Sequence, residues 1–311
     1  MNLKILSGNA NPKLAQGICA KLGVDLCNAR VGRFKDGEIQ VKILDNVRGA
    51  DCYIVQPTSP PVNENLMELL IITDALKRAS AKNIIAVVPY YGYSRQDRKA
   101  EPRVPITARL VADLLATAGI TRLLTLDLHA AQIQGFFNIC VDHLYASPVL
   151  LSYLRKQKTP NTVVVSPDAG GVERARAFAK HLDCELVIVD KRRPRPNEAA
   201  IMNIIGQVQD RDCIILDDIV DTAGTLIKVA TALKEKGAKK ILAVASHGIF
   251  SGDAKQKINE SCIEQIIITD SIPLIADGQD LHKFVVLSAA SLLAEAIMRI
   301  SNNKSISALF V

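Results

Sequence analysis

The chain has 311 residues, 49% of them hydrophobic and 23% charged, with a formal net charge of +6. That length holds roughly two ordinary domains, and no apolar run approaches the ~20 residues a membrane span needs, so a soluble globular protein is expected. Only 4% of residues are aromatic and no long lysine and arginine block occurs, so the positive charge suits phosphorylated small molecules better than nucleic acid.

In chain order, short runs rich in Ile and Val predict strands at 3–6, 52–55, 84–88 and 123–126. Others follow at 163–165, 186–189, 213–216, 241–244, 266–268 and 284–287, most of them alternating with amphipathic helical stretches. Such alternation predicts βαβ units on a largely parallel sheet. Sheets of this kind bind ligands beyond the carboxyl ends of their strands, so the polar residues after each run are the candidates for chemistry.

The segment RFKDGE, 33–38, gathers Phe34, Asp36 and Glu38 around a glycine turn. An aromatic face beside carboxylates suits a base such as adenine, and a plain surface hairpin accounts for the same residues. After the strand at 84–88 comes RQDRK, where Arg95 and Gln96 open a basic loop whose guanidinium groups could fork onto phosphate oxygens. After the strand at 123–126 stand Asp127 and His129, the histidine open to three roles: metal ligand, general base, or partner of a backbone carbonyl.

In the second half, Asp168 ends a strand ahead of Gly170 and Gly171, and its oxygens suit a divalent ion better than imidazole does. Lys191 and Arg193 lie in DKRRPR, which by itself reads as a basic surface turn. The most specific string is CIILDDIVDTAGTL, an apolar strand running into Asp217 and Asp218, then a loop of Asp221, Thr222, Ala223, Gly224 and Thr225. Small residues let backbone N–H groups approach a phosphate that the next helix N-terminus also attracts, with two threonine hydroxyls as further donors. The paired aspartates, placed at the strand's carboxyl end, would accept hydrogen bonds from vicinal ribose hydroxyls or hold a hard cation. Together they describe a cradle for a ribose 5-phosphate group; a plain strand-to-helix turn with capping aspartates is the other reading, and the paired acids with DTAGT are more than capping needs.

The chain repeats itself. Residues 75–88, ALKRASAKNIIAVV, and 232–245, ALKEKGAKKILAVA, share eight identities in fourteen positions at an offset of 157. Where the second copy has its aspartate pair the first has Gln56 and Pro57, so only the second half keeps the hydroxyl site. The expected boundary gives domains of residues 1–146 and 147–311. The seven cysteines show no C-x-x-C spacing and read as small core residues. The N-terminus lacks a signal-peptide apolar core, which points to the cytoplasm. No G-K-[ST], G-x-G-x-x-G or H-E-x-x-H occurs, so any ATP would bind without the usual nucleotide loops.

DDIVDTAGT resembles the 5-phosphoribosyl 1-diphosphate (PRPP) motif of type I phosphoribosyltransferase folds. With RFKDGE, YSRQDRK, DLHAAQIQGFF and DKRRPR over nearly the whole chain, the sequence resembles the ribose-phosphate pyrophosphokinase, or PRPP synthetase, family. The resemblance implies an α/β protein of two tandem type I phosphoribosyltransferase-like domains, each a largely parallel sheet flanked by helices. It implies transfer of the pyrophosphoryl group of ATP to ribose 5-phosphate, giving PRPP and AMP for nucleotide, histidine and tryptophan synthesis. It also implies a Mg²⁺ requirement and homodimers assembled into a hexamer. By the same resemblance, ATP contacts fall on Arg95 and Gln96 and, from a neighbouring subunit, on Phe34, Asp36 and Glu38. Magnesium falls on His129 and Asp168, and the mobile catalytic loop on Lys191 and Arg193. Ribose 5-phosphate falls on Arg193, Asp217, Asp218 and Asp221 through Thr225, that is Asp221, Thr222, Ala223, Gly224 and Thr225. An allosteric phosphate and ADP site falls on Arg48, Ser80, Gln134, Asp142, Ser305 and Ser307, with Asn138 and His143 departing from the family pattern nearby. A PRPP-consuming transferase would share DDIVDTAGT but need neither basic loop nor a second domain. A non-catalytic regulator would be expected to lack Lys191 or carry insertions.

Overall fold

The computed structural model describes residues 2–192 and 201–309. The chain forms two compact units: Met1–Ala146 with Ser271–Pro273 and Ser288–Val311, and Ser147–Asp270 with Leu274–Leu287.

Along the first unit run β1 (Leu3–Ser7), α1 (Pro12–Leu22), β2 (Ala29–Arg33), β3 (Ile39–Ile43), β4 (Asp51–Val55), α2 (Val62–Arg78), β5 (Asn83–Val88), α3 (Thr107–Ala118), β6 (Arg122–Leu126) and β7 (Cys140–Leu144). Five strands pair in parallel in the order β1-β4-β5-β6-β7, while β2 and β3 form a separate antiparallel hairpin. Ile54, Val55, Val87, Val88, Leu123 and Leu124 are fully buried, as expected for parallel strands covered on both faces. Helix starts and stops follow local chemistry. For α1, Asn11 Oδ1 accepts the Leu14 N–H at 3.2 Å, Pro12 supplies a preset φ, and Gly23 closes the helix in the left-handed region at φ 68.

The second unit runs α4 (Ser147–Gln157), β8 (Thr162–Ser166), α5 (Val172–Leu182), β9 (Glu185–Arg192), β10 (Ile201–Ile205), β11 (Asp212–Val220), α6 (Gly224–Glu235), β12 (Lys240–Gly248), α7 (Ala254–Glu260), β13 (Gln265–Thr269) and β14 (Phe284–Leu287). Its sheet order is β10-β9-β8-β11-β12-β13-β14, parallel except for β10 against β9. Omit the β9–β10 pair and the order β8-β11-β12-β13-β14 repeats that of the first unit, element for element. The β2–β3 and β9–β10 pairs occupy the same place in the two halves, each after the first strand-and-helix step of its sheet.

The chain then returns to the first unit as α8 (Ala290–Ser301), which packs against α1, where a Cβ at Gly17 would lie 3.1 Å from Ala290 Cβ. The expected second domain of residues 147–311 is therefore corrected at its end. The last stretch joins the first unit because α8 buries its Leu293, Ala294 and Ile297 face there. The strand pattern is extended by β2, β3, β7 and β10, and β11 runs past residue 216 to Val220, because its pairing with β12 continues to Val220 opposite Gly248. Cys19, Cys27, Cys52 and Cys213 are buried core residues, but Cys140 is exposed, and none of the seven is in a disulfide. Among the described residues no helix is long and apolar enough to cross a membrane.

Candidate active site

Because β11 extends to Val220, Asp217 and Asp218 lie within the strand, not after it. Asp218 is buried, and its Oδ1 meets Arg174 Nη1 of α5 at 3.2 Å. Asp217 Oδ1 accepts the Asp218 N–H at 2.9 Å. Burial, and after it the Asp218 carboxyl and then Asp168, push the Asp217 carboxyl up to about 8. Arg174 favours the charged form of Asp218, while burial favours a protonated Asp217. Asp168, exposed in the β8–α5 turn, accepts the Gly171 N–H on Oδ1 at 2.9 Å, so one of its oxygens is engaged within the turn that leads into α5.

Beyond β11 the bend differs from the expected one. It falls on Ala223, left-handed at φ 60, and α6 begins at Gly224, so Gly224 and Thr225 belong to the helix's first turn. Gly224 is outside the left-handed region, and a Cβ there would meet nothing nearer than Thr222 Oγ1 at 4.0 Å. The glycine is required by neither backbone nor packing; it leaves open space beside the N–H groups that open α6. The first backbone N–H groups of a helix have no intrahelical acceptor, and the helix dipole favours negative charge beside them.

The first half closes the corresponding ground. Gln56 is fully buried at the end of β4, its Oε1 accepting the Ala10 N–H at 3.0 Å and its Nε2 donating to Glu68 Oε1 at 2.8 Å. A Cβ at Gly8 would come within 2.2 Å of Gln56 Oε1, so any larger residue there would push the Gln56 amide out of place. Where the second unit holds an open cradle, the first holds an amide and a carboxylate of its own.

The remaining expected contacts are placed as follows. Phe34, Asp36 and Glu38 form the tip of the β2–β3 hairpin, with Gly37 at φ 95, Glu38 N donating to Asp36 Oδ1 at 3.1 Å, and Phe34 half exposed. Arg95 and Gln96 follow β5, Arg95 exposed in the turn, where Gln96 N donates to Tyr93 O at 2.9 Å and the Thr107 hydroxyl donates to Gln96 Oε1. His129 is exposed in the loop after β6. That loop is fixed by the buried Asp127, whose Oδ2 accepts the Ala146 N–H at 2.8 Å, and by His143 Nε2, which accepts the Leu128 N–H at 2.9 Å. Lys191 stands in β9 opposite Met202, and Arg193 lies outside the described residues.

Of the expected regulatory group, Asp142 and Ser305 line one cavity of roughly 400 Å³ with Arg122, Ile300, Asn303, Lys304 and Ile306, Arg122 Nη1 meeting Asp142 Oδ2 at 2.7 Å. Ser305 Oγ donates to Ser307 Oγ at 2.9 Å. Arg48 and Ser80 adjoin through the Gly49 N–H, which donates to Ser80 O at 2.8 Å, and Gln134 Nε2 turns back to Ala131 O at 2.9 Å. Arg174 was not legible as a site residue in the sequence; its spacing to Asp218 exists only in the fold.

Among the described residues no three His, Cys, Asp or Glu side chains gather as a ready-made ion site. Asp168 nonetheless offers an exposed carboxylate, and His129 an exposed imidazole. This donor set fits Mg²⁺ arriving with phosphate oxygens and met by one or two carboxylates.

Two units of equivalent strand order, each a largely parallel sheet flanked by helices, define a protein of duplicated phosphoribosyltransferase-like architecture. A family model described as the N-terminal domain of ribose phosphate pyrophosphokinase matches residues 3–119, and one described as the phosphoribosyl synthetase-associated domain matches residues 192–311. The ribose-phosphate pyrophosphokinase of Haemophilus influenzae is 55% identical over 312 residues, covering 99% of each chain. That of Neisseria meningitidis is 54% identical over 310 residues, covering 99% of this chain and 95% of its own. The crystal structure of phosphoribosylpyrophosphate synthetase from Mycobacterium smegmatis matches with a TM-score of 0.92 at 40% identity, covering 97% of this chain and 100% of the other. The chain belongs to the ribose-phosphate pyrophosphokinase family.

Proposed function

We propose that the second unit holds ribose 5-phosphate and the first holds ATP in the reaction of this family, which gives PRPP and AMP. The observation that carries the reading is the asymmetry of the duplicated sites: open space at Gly224 beside the α6 N-terminus, against the Gln56 and Glu68 plug in the first half. The 5-phosphate is met by the backbone and hydroxyl donors of Asp221, Thr222, Ala223, Gly224 and Thr225, and the ring hydroxyls by Asp217 and Asp218. Arg95 and Gln96 contact ATP, and Phe34, Asp36 and Glu38 reach the nucleotide of a neighbouring subunit in a hexamer built from dimers.

The anomeric oxygen attacks the β-phosphorus in line, a new O–P bond forms, the bond from the β-phosphorus to the α,β-bridging oxygen breaks, and AMP departs with that electron pair. The hydroxyl's proton passes to solvent. Charge spread over the transferring oxygens is met by Lys191, Arg193 and Arg95, so catalysis rests on positioning and electrostatics. Mg²⁺, when bound through Asp168 and His129, supplies further neutralisation of the polyphosphate. A basic loop closing over the nucleotide would exclude water from the transfer. Arg48, Ser80, Gln134, Asp142, Ser305 and Ser307 form the regulatory phosphate and ADP site, and the enzyme works in the cytoplasm without nucleic-acid or membrane partners.

The test is phosphorus NMR of the protein mixed with ATP, ribose 5-phosphate and Mg²⁺. The expected products are AMP and a diphosphate on C1 of the sugar; ADP would indicate an ordinary kinase, and tight PRPP binding without turnover a regulator.

A further inference from the structure

Glu68, in the second turn of α2, is a carboxylate that is 5% exposed, and the transfer chemistry does not use it. Its surroundings are amides. Oε1 accepts the Asn9 N–H at 2.6 Å and Gln56 Nε2 at 2.8 Å, and Oε2 accepts Asn9 Nδ2 at 2.8 Å. A buried carboxylate held by three amide donors is a specified arrangement, because each donor would be left unmatched if the acceptor were removed.

The arrangement continues outward. Asn9 Nδ2 also donates to Val31 O of β2 at 3.3 Å, three residues before Phe34. One turn earlier on the same helix, Glu64 pairs with Arg33 at the mouth of the hairpin, and Arg33 Nη1 donates to Gly37 O at 3.2 Å within its tip. Beside Glu64, Asn63 Oδ1 accepts the Tyr93 hydroxyl, and Tyr93 O receives the Gln96 N–H at 2.9 Å. The first two turns of α2 therefore touch both segments assigned to the nucleotide, the hairpin tip and the Arg95–Gln96 turn.

We propose that Glu68 is a positioning residue: through Asn9 it fixes the β2–β3 hairpin, and with Glu64 and Asn63 it sets the hairpin tip relative to the Arg95–Gln96 turn. The nucleotide part of this inference rests on the reading of both segments as ATP contacts. If the hairpin serves a neighbouring subunit, the same helix links a subunit's own nucleotide contacts to those it lends.

The chain contains no tryptophan, so Phe34→Trp installs a single fluorescent reporter at the hairpin tip. In that background Glu68→Gln keeps volume and the Oε1 acceptor but turns an amide donor toward Asn9 Nδ2. The anisotropy decay of the introduced indole should then gain a fast local component. In the chain carrying its native Phe34, Glu68→Gln should raise KM for ATP by roughly 3- to 10-fold, the range one lost positioning hydrogen bond commands, with KM for ribose 5-phosphate unchanged. Asn9→Ala, at an exposed residue that folding tolerates more readily, removes the Val31 link directly and should give the same two changes. In Glu68→Gln with Asn9→Asp, the contact between the two side chains is restored with reversed polarity but Val31 O loses its donor, so the fast component should persist. An unchanged indole decay in Glu68→Gln and Asn9→Ala overturns the proposal. A loosened hairpin with an unchanged KM for ATP supports the positioning role and instead overturns the assignment of the hairpin to the nucleotide.

Discussion

Replacing Asp217 by Asn should stabilise the unliganded protein while abolishing its activity. Burial and the Asp218 and Asp168 carboxyls hold the Asp217 carboxyl at about 8 against an ordinary value of 3.8. The folded chain thus binds this proton more tightly than the unfolded chain. The stabilising share is complete below the ordinary carboxylate range and is lost as pH climbs toward 8, at about 1.4 kcal/mol per pH unit at most. At pH 7 the ceiling is about 4 kcal/mol; because the group is only partly buried and its neighbours relax, a net gain of ~1–3 kcal/mol is expected from a side chain of equal volume that never ionises. Urea unfolding followed by circular dichroism at several pH values between about 5 and 8 reads this directly. The variant's advantage should open with rising pH and level off above 8. An advantage that does not change with pH, or a variant less stable than its parent at pH 8, would refute the idea that this carboxyl is held against its preference for the sake of binding.

Other changes probe the neighbouring parts. Arg174→Met strands the buried Asp218 carboxylate and should cost ~2–4 kcal/mol at neutral pH, shrinking as acid protonates the group, again by urea unfolding. Gly224→Val should leave thermal stability within a few tenths of a kcal/mol, because the Cβ enters open space, yet raise KM for ribose 5-phosphate at least ~10-fold in a steady-state assay. Lys191→Ala should lower kcat far more than it raises KM, and a large rise in KM at constant kcat would remove it from the transfer step.

The two sheets were legible because parallel strands covered on both faces are written as unbroken Ile and Val runs, as in NIIAVV of β5 and TVVVS of β8. The hairpin strands ARVGR and IQVKI lack such runs because they are only half covered, with burial that alternates or fades along each strand. β7, CVDHL, hides its strand character behind two polar residues that the fold buries, Asp142 against Arg122 and His143 against the Leu128 N–H. The destination of α8 is not written locally at all: its apolar stripe says that it packs, and only the return of the chain to α1 says where. In the cradle the residue types were readable, but the division of labour between Ala223 and Gly224 was not. A left-handed alanine is the less expected of two adjacent small residues, so glycine attracts the bend in a sequence reading.

The central claim is that the cradle presents the anomeric hydroxyl of ribose 5-phosphate as the attacking group. Ribose 5-phosphate carrying ¹⁸O at C1 tests this most directly, with the phosphorus resonances of the products examined for the isotope shift. The account predicts the label in the bridge between C1 and the β-phosphorus, with unlabelled AMP. Label released to water, the sign of substitution at C1, would contradict it.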